Sequence, residues 1–386
     1  MLLENKQIAI IGGGPGGLTL ARLLQLKNVD VKVYERDFGK SARVQGSPLD
    51  LHENSGLAAI RKAGLLDEFK KNYMSGADKT TITNEKAEVV FSDHEIIKEE
   101  DFGHEYFRPE IDRGVLRKIL LDSLKPENII WDSHFLSMEK QNDGWLLHFK
   151  NGTTAYADLV IGADGANSKI RPYITNIQVL YSGITMLEGN IYDAENLVPE
   201  ITKLLRGGKL MAFGDEKNIL MGQKADGVIG FYASFRAEEN WVLKSGLNFS
   251  DTSQVLDWFK KHYAEWSEIW NQLFENTTTP FIPRPINYMP LDQSWETLSN
   301  VTVIGDAAHL MPPFAGEGVN MAMLDALELS ESLTDRNSTA LHDSLLIYET
   351  SMRRRAFQIT KESLDNGEIM HHVDALSTMS SFFSGK

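Results

Sequence analysis

Four consecutive apolar residues, Ile8-Ala9-Ile10-Ile11, stop at a run of glycines. A short apolar block closed by Gly12 predicts a strand buried on both faces. Apolar residues then recur at helical spacing over 18–26, and residues 29–34 (V-D-V-K-V-Y) alternate as a second strand does. Strand, helix and strand within the first 35 residues predict a βαβ unit and therefore a parallel sheet. Helices are predicted over 55–62, ending near Gly64, and over 112–124, with Asp112 as N-cap and Pro126 beyond the end. Residues 158–163 repeat the buried-strand pattern and run into Asp164-Gly165. From about 179 to 236 the pattern changes. Short stretches at 209–213, 219–223 and 228–236 are separated by Gly, Asp and Asn turns, which predicts an antiparallel sheet. An aromatic-rich helix is predicted over 254–274. A buried strand follows at 301–304, then helices over 320–333 and 343–365, the last long and charged. No internal repeat and no Gly/Ser/Pro-rich linker interrupts the chain. The pattern predicts a discontinuous nucleotide-binding domain interrupted by a mostly β domain.

The length, 386 residues, suits two or three domains. A hydrophobic share of 42% with 24% charged residues excludes a disordered chain. The net charge of -15 repels phosphate backbones and anionic lipid, so neither nucleic acid nor a membrane is an expected partner. No apolar run approaches the roughly 18 residues that cross a bilayer. At the N-terminus Glu4 precedes the apolar run and glycines follow it, which is not the pattern of a signal peptide. There is no cysteine, so disulfides, thiol catalysis, zinc ribbons and iron–sulfur ligation are excluded, and a cytoplasmic location is expected.

Three motifs carry chemistry. Gly12-Gly13-Gly14-Pro15-Gly16-Gly17 is a G-x-G-x-x-G between strand and helix. Gly12 allows the tight turn, Gly14 lets a pyrophosphate approach the backbone, and Gly17 lets the helix pack on the strand. Glu35 ends the second strand 23 positions after Gly12, where a carboxylate can meet a ribose hydroxyl. This motif does not separate NAD from FAD. The second motif, L-V-I-G-A-D-G-A-N-S-K-I-R over 159–171, reads alone as a strand, a turn and a helix cap. In the third, G-D-A-A-H-L-M-P-P-F-A-G-E-G-V-N over 305–320, Asp306 at a strand end can accept hydrogen bonds from a polyol. Residues 316–320 can present backbone N–H groups and a positive helix end, which a flavin ring needs near N1 and the C2 carbonyl.

In this order the three motifs resemble the FAD-dependent aromatic hydroxylases of the para-hydroxybenzoate hydroxylase type, over about residues 7–365. Within them, 305–320 and GSPLDLH at 46–52 are nearly those of the tetracycline-inactivating flavin monooxygenases. The resemblance implies an α/β chain: a Rossmann-like FAD-binding domain from 1–73, 101–175 and 284–334, an inserted, mostly antiparallel β-sheet substrate domain from 74–100 and 176–283, and a C-terminal helical segment over 335–386. It implies FAD as cofactor, NADPH rather than NADH as co-substrate, dioxygen activated as a flavin C4a-hydroperoxide, and a small aromatic substrate in a monomeric enzyme. Gly12, Gly14, Pro15, Gly17, Glu35 and Arg36 would hold the ADP half. Asp50, Arg113 and Arg117 would reach the cofactor. Asp164 would lie on the pyrophosphate side, near the path of the nicotinamide donor. Asp306 would hold the ribityl chain, and Pro313, Gly316, Gly318 and Asn320 would line the ring. The substrate positions implied are Glu188, Lys209, Met211, Phe213, Met221, Gly230, Phe314 and Gly316. Glu188, Lys209 and Gly230 stand where the best-known tetracycline enzymes anchor the drug with Gln, Arg and His. Lys209 keeps a cation without the planar fork, Glu188 cannot donate as an amide does, and Gly230 enlarges the pocket. Tetracycline oxidation with weaker affinity or altered regiochemistry is therefore the expected activity. The alternatives are hydroxylation of another aromatic metabolite, a flavoprotein reductase that never activates oxygen, and a protein that only sequesters an aromatic ligand.

The remaining candidates have plainer readings. His309 is expected in a fixed hydrogen bond at a helix start rather than as a base. His371-His372 lacks a ligand-spaced partner, so no metal site is expected. Arg353-Arg354-Arg355 reads as a solvated face. Met211, Phe213, Met221, Phe231 and Phe235 read as strand core, some of them lining a pocket. There is no nucleophile elbow, no P-loop and no W-x-W-x-I-P halogenase motif. Flavin-borne chemistry requires no side-chain nucleophile.

Overall fold

The computed structural model describes residues 2–40, 48–96, 100–278 and 280–385. Its first sheet has five parallel strands in the order Val301–Val303, Leu159–Gly162, Ile8–Ile11, Val31–Tyr34, Ile129–Ile130. All four residues of Ile8–Ile11 and of Leu159–Gly162 are buried, as a parallel sheet covered on both faces requires. The helices Pro15–Leu26, Arg113–Asp122 and Gly318–Thr334 pack around this sheet. The antiparallel strands Phe135–Gln141, Gly144–Phe149 and Thr154–Ala157 add Phe135, Met138, Trp145 and Phe149 to the same core. Asp112 caps its helix as expected, accepting from the N–H groups of Gly114 (2.8 Å) and Val115 (3.1 Å).

The second sheet has seven strands in the order Ile282–Tyr288, Leu180–Ile191, Ile229–Arg236, Lys217–Gln223, Lys209–Gly214, Thr80–Asn84, Val89–Ser92. It is antiparallel except where Lys209–Gly214 runs parallel to Thr80–Asn84, a pairing of distant segments that hairpin patterns cannot reveal. The strand Ile282–Tyr288 lies wholly in this sheet, so the sheet continues past the boundary expected at 283. Side chains alternate between its faces. One face, carrying Leu210, Ala212, Ile219, Met221, Phe231 and Ala233, packs on the helices Pro199–Leu205, Thr252–His262 and Asn271–Glu275. That core is aromatic, with the Phe259 and Phe274 rings stacked 3.9 Å apart. The opposite face packs against Phe314, Met370 and the C-terminal helix Ala375–Ser384, and is called the cleft face below.

Two helical expectations change. The stretch 254–274 is not one helix but Thr252–His262, a 3-10 turn Glu268–Trp270 and Asn271–Glu275. Between the first two, the Ser267 N–H (2.9 Å) and the Trp270 indole (2.9 Å) both donate to the Glu85 carbonyl, which ties the break to the edge hairpin. The last long helix runs from Leu341 to Met370, about 45 Å at 1.5 Å per residue, and a second helix Ala375–Ser384 follows it within the segment expected to be helical over 335–386. Among the described residues no helix is long and apolar enough to cross a membrane.

Candidate active site

The glycine loop is shaped by close approach. Gly12 has φ +112°, and a Cβ there would stand 2.3 Å from the Ala163 carbonyl oxygen. A Cβ on Gly17 would meet the Gly12 carbonyl at 2.2 Å. At Gly14 a Cβ would meet nothing within 4 Å. The helix Pro15–Leu26 begins there with no side-chain cap, and Pro15 has no N–H to satisfy. An open space before uncapped N–H groups is what a pyrophosphate occupies. Glu35, 2% exposed, accepts from Gly13 N–H at 2.6 Å and from Asp37 N–H at 3.0 Å, so the expected ribose ligand is fixed against the glycine loop. Arg117 pairs with Asp37 at 3.0 Å and lies over the Trp131 ring, so it braces this loop from behind. Arg36 and Arg113 are exposed.

The second and third motifs are stapled together. The Asp164 carboxylate accepts from Ser168 Oγ (2.6 Å) and Lys169 N–H (2.7 Å), which shapes its own turn. Buried Arg171 donates to the carbonyls of Ala307 (2.7 Å), Asp306 (2.7 Å) and Ala166 (3.1 Å). The half-buried Asp306 carboxylate accepts no hydrogen bond among the described residues. Burial pushes it above the usual carboxylate range, opposed by the charges of His309, Arg113 and Arg171. Behind it, buried His309 holds Asp325 at 2.6 Å. Asp325 also accepts from Gly305 N–H (2.8 Å) and pairs with Arg355 (2.6 Å). Burial works against the His309 cation, but Asp325 raises its pKa on balance, and Asp325 itself is held low. His309 thus has the fixed bond expected of it. Arg355 is not on a solvated face but half-buried between Asp325 and Glu328.

The Pro313–Asn320 segment is anchored by Asn320 and by His52, which sequence reasoning quoted without giving it a role. Fully buried Asn320 accepts through Oδ1 from the N–H groups of His52 (2.9 Å) and Gly56 (3.2 Å), and donates to the Asp50 carbonyl (2.9 Å). The His52 ring sits between Glu317 (2.9 Å) and Asp50 (3.1 Å). Burial disfavours its cation, but the two carboxylates prevail and raise it to about 9. Gly316, at φ +70°, turns the chain beside the Asp50 carboxylate. Gly318 opens the helix Gly318–Thr334, whose N-terminus has no side-chain cap and where a Cβ would meet nothing within 4 Å. Of the GSPLDLH run, Gly46 and Ser47 lie outside the described residues.

Phe314 packs against the cleft face, beside clusters built on Ile82, Phe213 and Met370 and on Ile184, Met186 and Ile286. Strand alternation sets Glu188, Lys209, Met211, Phe213 and Gly230 on that face. Met221 is a correction. It stands opposite Leu210 on the helix-covered face, buried in the aromatic core, and cannot line the cleft. Phe213 is on the cleft face but fully buried, in the cluster that holds Met370 and Ala375. Glu188 is buried in an ion pair with Arg284, and Lys209 pairs with Glu110 of the short strand Glu110–Ile111, outside the large sheet. His371 is buried; it donates to the Gly367 carbonyl (2.8 Å) and meets Ser234 Oγ (2.8 Å) on the cleft face.

An open glycine loop before an uncapped helix, a carboxylate without a donor among the described residues and a second uncapped helix end fit a dinucleotide carrying a polyol and a ring. The FAD binding domain family matches residues 5–363, and the chain belongs to that family of hydroxylases. It is a flavin-dependent monooxygenase. It is 29% identical to the monooxygenase penA of Penicillium thymicola, over 93% of this chain and 94% of that one. The solved structure of HpxO from Klebsiella pneumoniae with FAD and uric acid superimposes with a TM-score of 0.75, at 21% identity, covering 99% of this chain and 93% of that one. The tetracycline destructase Tet(51) superimposes with a TM-score of 0.73, at 18% identity, covering 98% of this chain and 96% of that one.

Proposed function

We propose that this enzyme uses NADPH and dioxygen to hydroxylate an electron-rich phenolic or enolic ring, and that tetracyclines are among its substrates. One observation carries the reading: the Pro313–Asn320 segment, with uncapped N–H groups at Gly318, faces the apolar cleft face through Phe314. FAD, when bound, accepts hydride and activates dioxygen. The chain's own residues bind and orient. The N-terminus of Pro15–Leu26 takes the pyrophosphate, Asp306 accepts ribityl hydroxyls, and the N-terminus of Gly318–Thr334 stabilises negative charge on the ring. Met211, Leu220, Tyr232 and Phe314 exclude water from the space where the substrate ring reacts.

A second reading, hydroxylation of a different aromatic metabolite, is favoured by one feature. Glu188 and Lys209, two of the positions matched to drug anchors, are already engaged by Arg284 and Glu110. Incubating FAD-loaded protein with NADPH, isotopically labelled dioxygen and a panel of tetracycline, urate and phenols decides between the readings. A tetracycline product heavier by one labelled oxygen supports the first. Such a product from another ring alone supports the second, and substrate-independent NADPH oxidation without any such product refutes both.

A further inference from the structure

The Lys209 pair joins the seven-stranded sheet to a separate short ribbon. Glu110 lies on a two-residue strand, Glu110–Ile111, paired with Leu49–Asp50. Asp50 in turn lies 3.5 Å from where a Cβ of Gly316 would stand, beside the segment expected to line the ring. Lys209 begins a central strand of the large sheet, with its side chain about a third exposed, while the Glu110 side chain is 3% exposed. The Lys209 end of the pair is therefore partly open, on the strand face it shares with Met211, and the Glu110 end is sealed from water. Such a pair is costly to bury, and its Coulomb gain alone seldom repays that cost.

Resting on the function proposed above, we propose that Lys209 and Glu110 take the proton of a ring hydroxyl, so that the substrate is a phenol or enol bound as its anion. Oxygen transfer to a ring is easier from the anion, because the ionised oxygen feeds electron density to the carbon attacked. The step balances without any further reactant. The substrate O–H bond breaks and its proton joins the Lys209 nitrogen as one ammonium proton passes to Glu110. Lys209 leaves as the same ammonium, beside the new anion, and the net transfer is from substrate to Glu110.

Glu110, not Asp50, is the group suited to receive it. Burial, Asp50 and Asp78 push Glu110 up to about 7, against the pull of Lys209. Asp50 is held low by Lys209, His52 and Arg108 despite burial, so it stays ionised. His52 is itself balanced by Glu317.

The test uses FAD-loaded enzyme, NADPH and two probes, tetracycline and 4-methylphenol, the second a simple phenol that is neutral near pH 7. In the natural protein the hydroxylation kcat falls about tenfold from its plateau to one pH unit below the Glu110 pKa. Glu110→Gln removes this acid limb and leaves a low, flat profile, while Glu110→Asp restores part of it. Lys209→Arg keeps KM but lowers kcat, since a guanidinium does not pass its proton on, whereas Lys209→Met raises KM. An unchanged acid limb in Glu110→Gln overturns this inference and leaves the hydroxylase intact. No oxygenated product from either probe or from the wider panel overturns the function and this inference with it.

Discussion

The ring of Phe314 lies against the bare Cα of Gly367: a Cβ built on Gly367 would stand 2.8 Å from it. Gly367 lies inside the helix Leu341–Met370, where glycine costs about 1 kcal/mol relative to alanine. Around it, Ser363 donates to the Pro312 carbonyl (2.6 Å) and Asn366 to the Phe314 carbonyl (3.2 Å). The helix therefore fixes the segment proposed to line the flavin ring. Gly367→Ala gains helix propensity but must displace Phe314. We expect a melting temperature within a few degrees of the natural protein, with FAD affinity lowered several-fold and KM raised. Calorimetry and flavin fluorescence titration check this. Unchanged affinity would mean that Phe314 yields without moving its backbone.

The glycine loop separates folding from binding within three residues. Gly12→Ala puts a Cβ 2.3 Å from a backbone oxygen at φ +112°, so it should destabilise the apoprotein by roughly 2 kcal/mol or more. Gly14→Ala meets no protein atom, so it should leave apoprotein stability unchanged while its methyl occupies pyrophosphate space. FAD retention through gel filtration should fall sharply in Gly14→Ala. Equal loss of apoprotein stability in both variants would refute this division of roles.

What was legible in the sequence follows from range. The βαβ opening, the Asp112 cap and the buried strands at 8–11, 159–162 and 301–303 depend on neighbours in the chain, and each appears within three residues of its predicted place. The parallel pairing of Lys209–Gly214 with Thr80–Asn84 joins segments more than 120 residues apart, and no local pattern encodes it. The same holds for the site. The glycine motif could be read from spacing, but the roles of His52, Glu110 and Arg171 arise from contacts made only on folding. Met221 was misassigned because a strand residue's face depends on register, and register was not available from the sequence. Arg355 was misread for a similar reason: its acidic partners stand on the helix Gly318–Thr334, about 30 positions away.

His52 predicts an alkaline limit. Its folded pKa, about 9, lies above the ordinary value of 6.5, so its stabilisation is complete below 6.5 and lost as pH rises through 9. The shift corresponds to on the order of 3 kcal/mol. Neutral imidazole can donate to only one of Asp50 and Glu317, and the released carboxylate frees the segment near Gly316. Thermal stability should fall between about pH 6.5 and 9, and FAD affinity as pH rises through about 9. His52→Gln, which cannot bridge two carboxylates as a cation, should remove most of that dependence and start from a lower stability at pH 7. A pH dependence identical in the variant would assign the alkaline limit to another group.

Asp306 should trade stability for binding. Its folded pKa is raised, chiefly by burial, so at neutral pH the apoprotein pays to keep an ionised carboxylate without a donor. The sign is fixed: this group favours folding at pH below its ordinary 3.8, and that contribution is lost as pH rises through its higher folded value. Asp306→Ala should therefore leave the apoprotein as stable at pH 7 as the natural protein, or more so. FAD affinity should move the other way. The ribityl hydroxyls lose a charged acceptor, worth roughly 1.5–3 kcal/mol, which is about 10- to 150-fold in Kd. Asp306→Asn keeps an acceptor oxygen without the charge and should fall between the two. Denaturation of apoprotein and flavin fluorescence titration measure the two effects separately. Full FAD affinity in Asp306→Ala would remove this residue from the site. Loss of apoprotein stability together with FAD would make Asp306 a structural group.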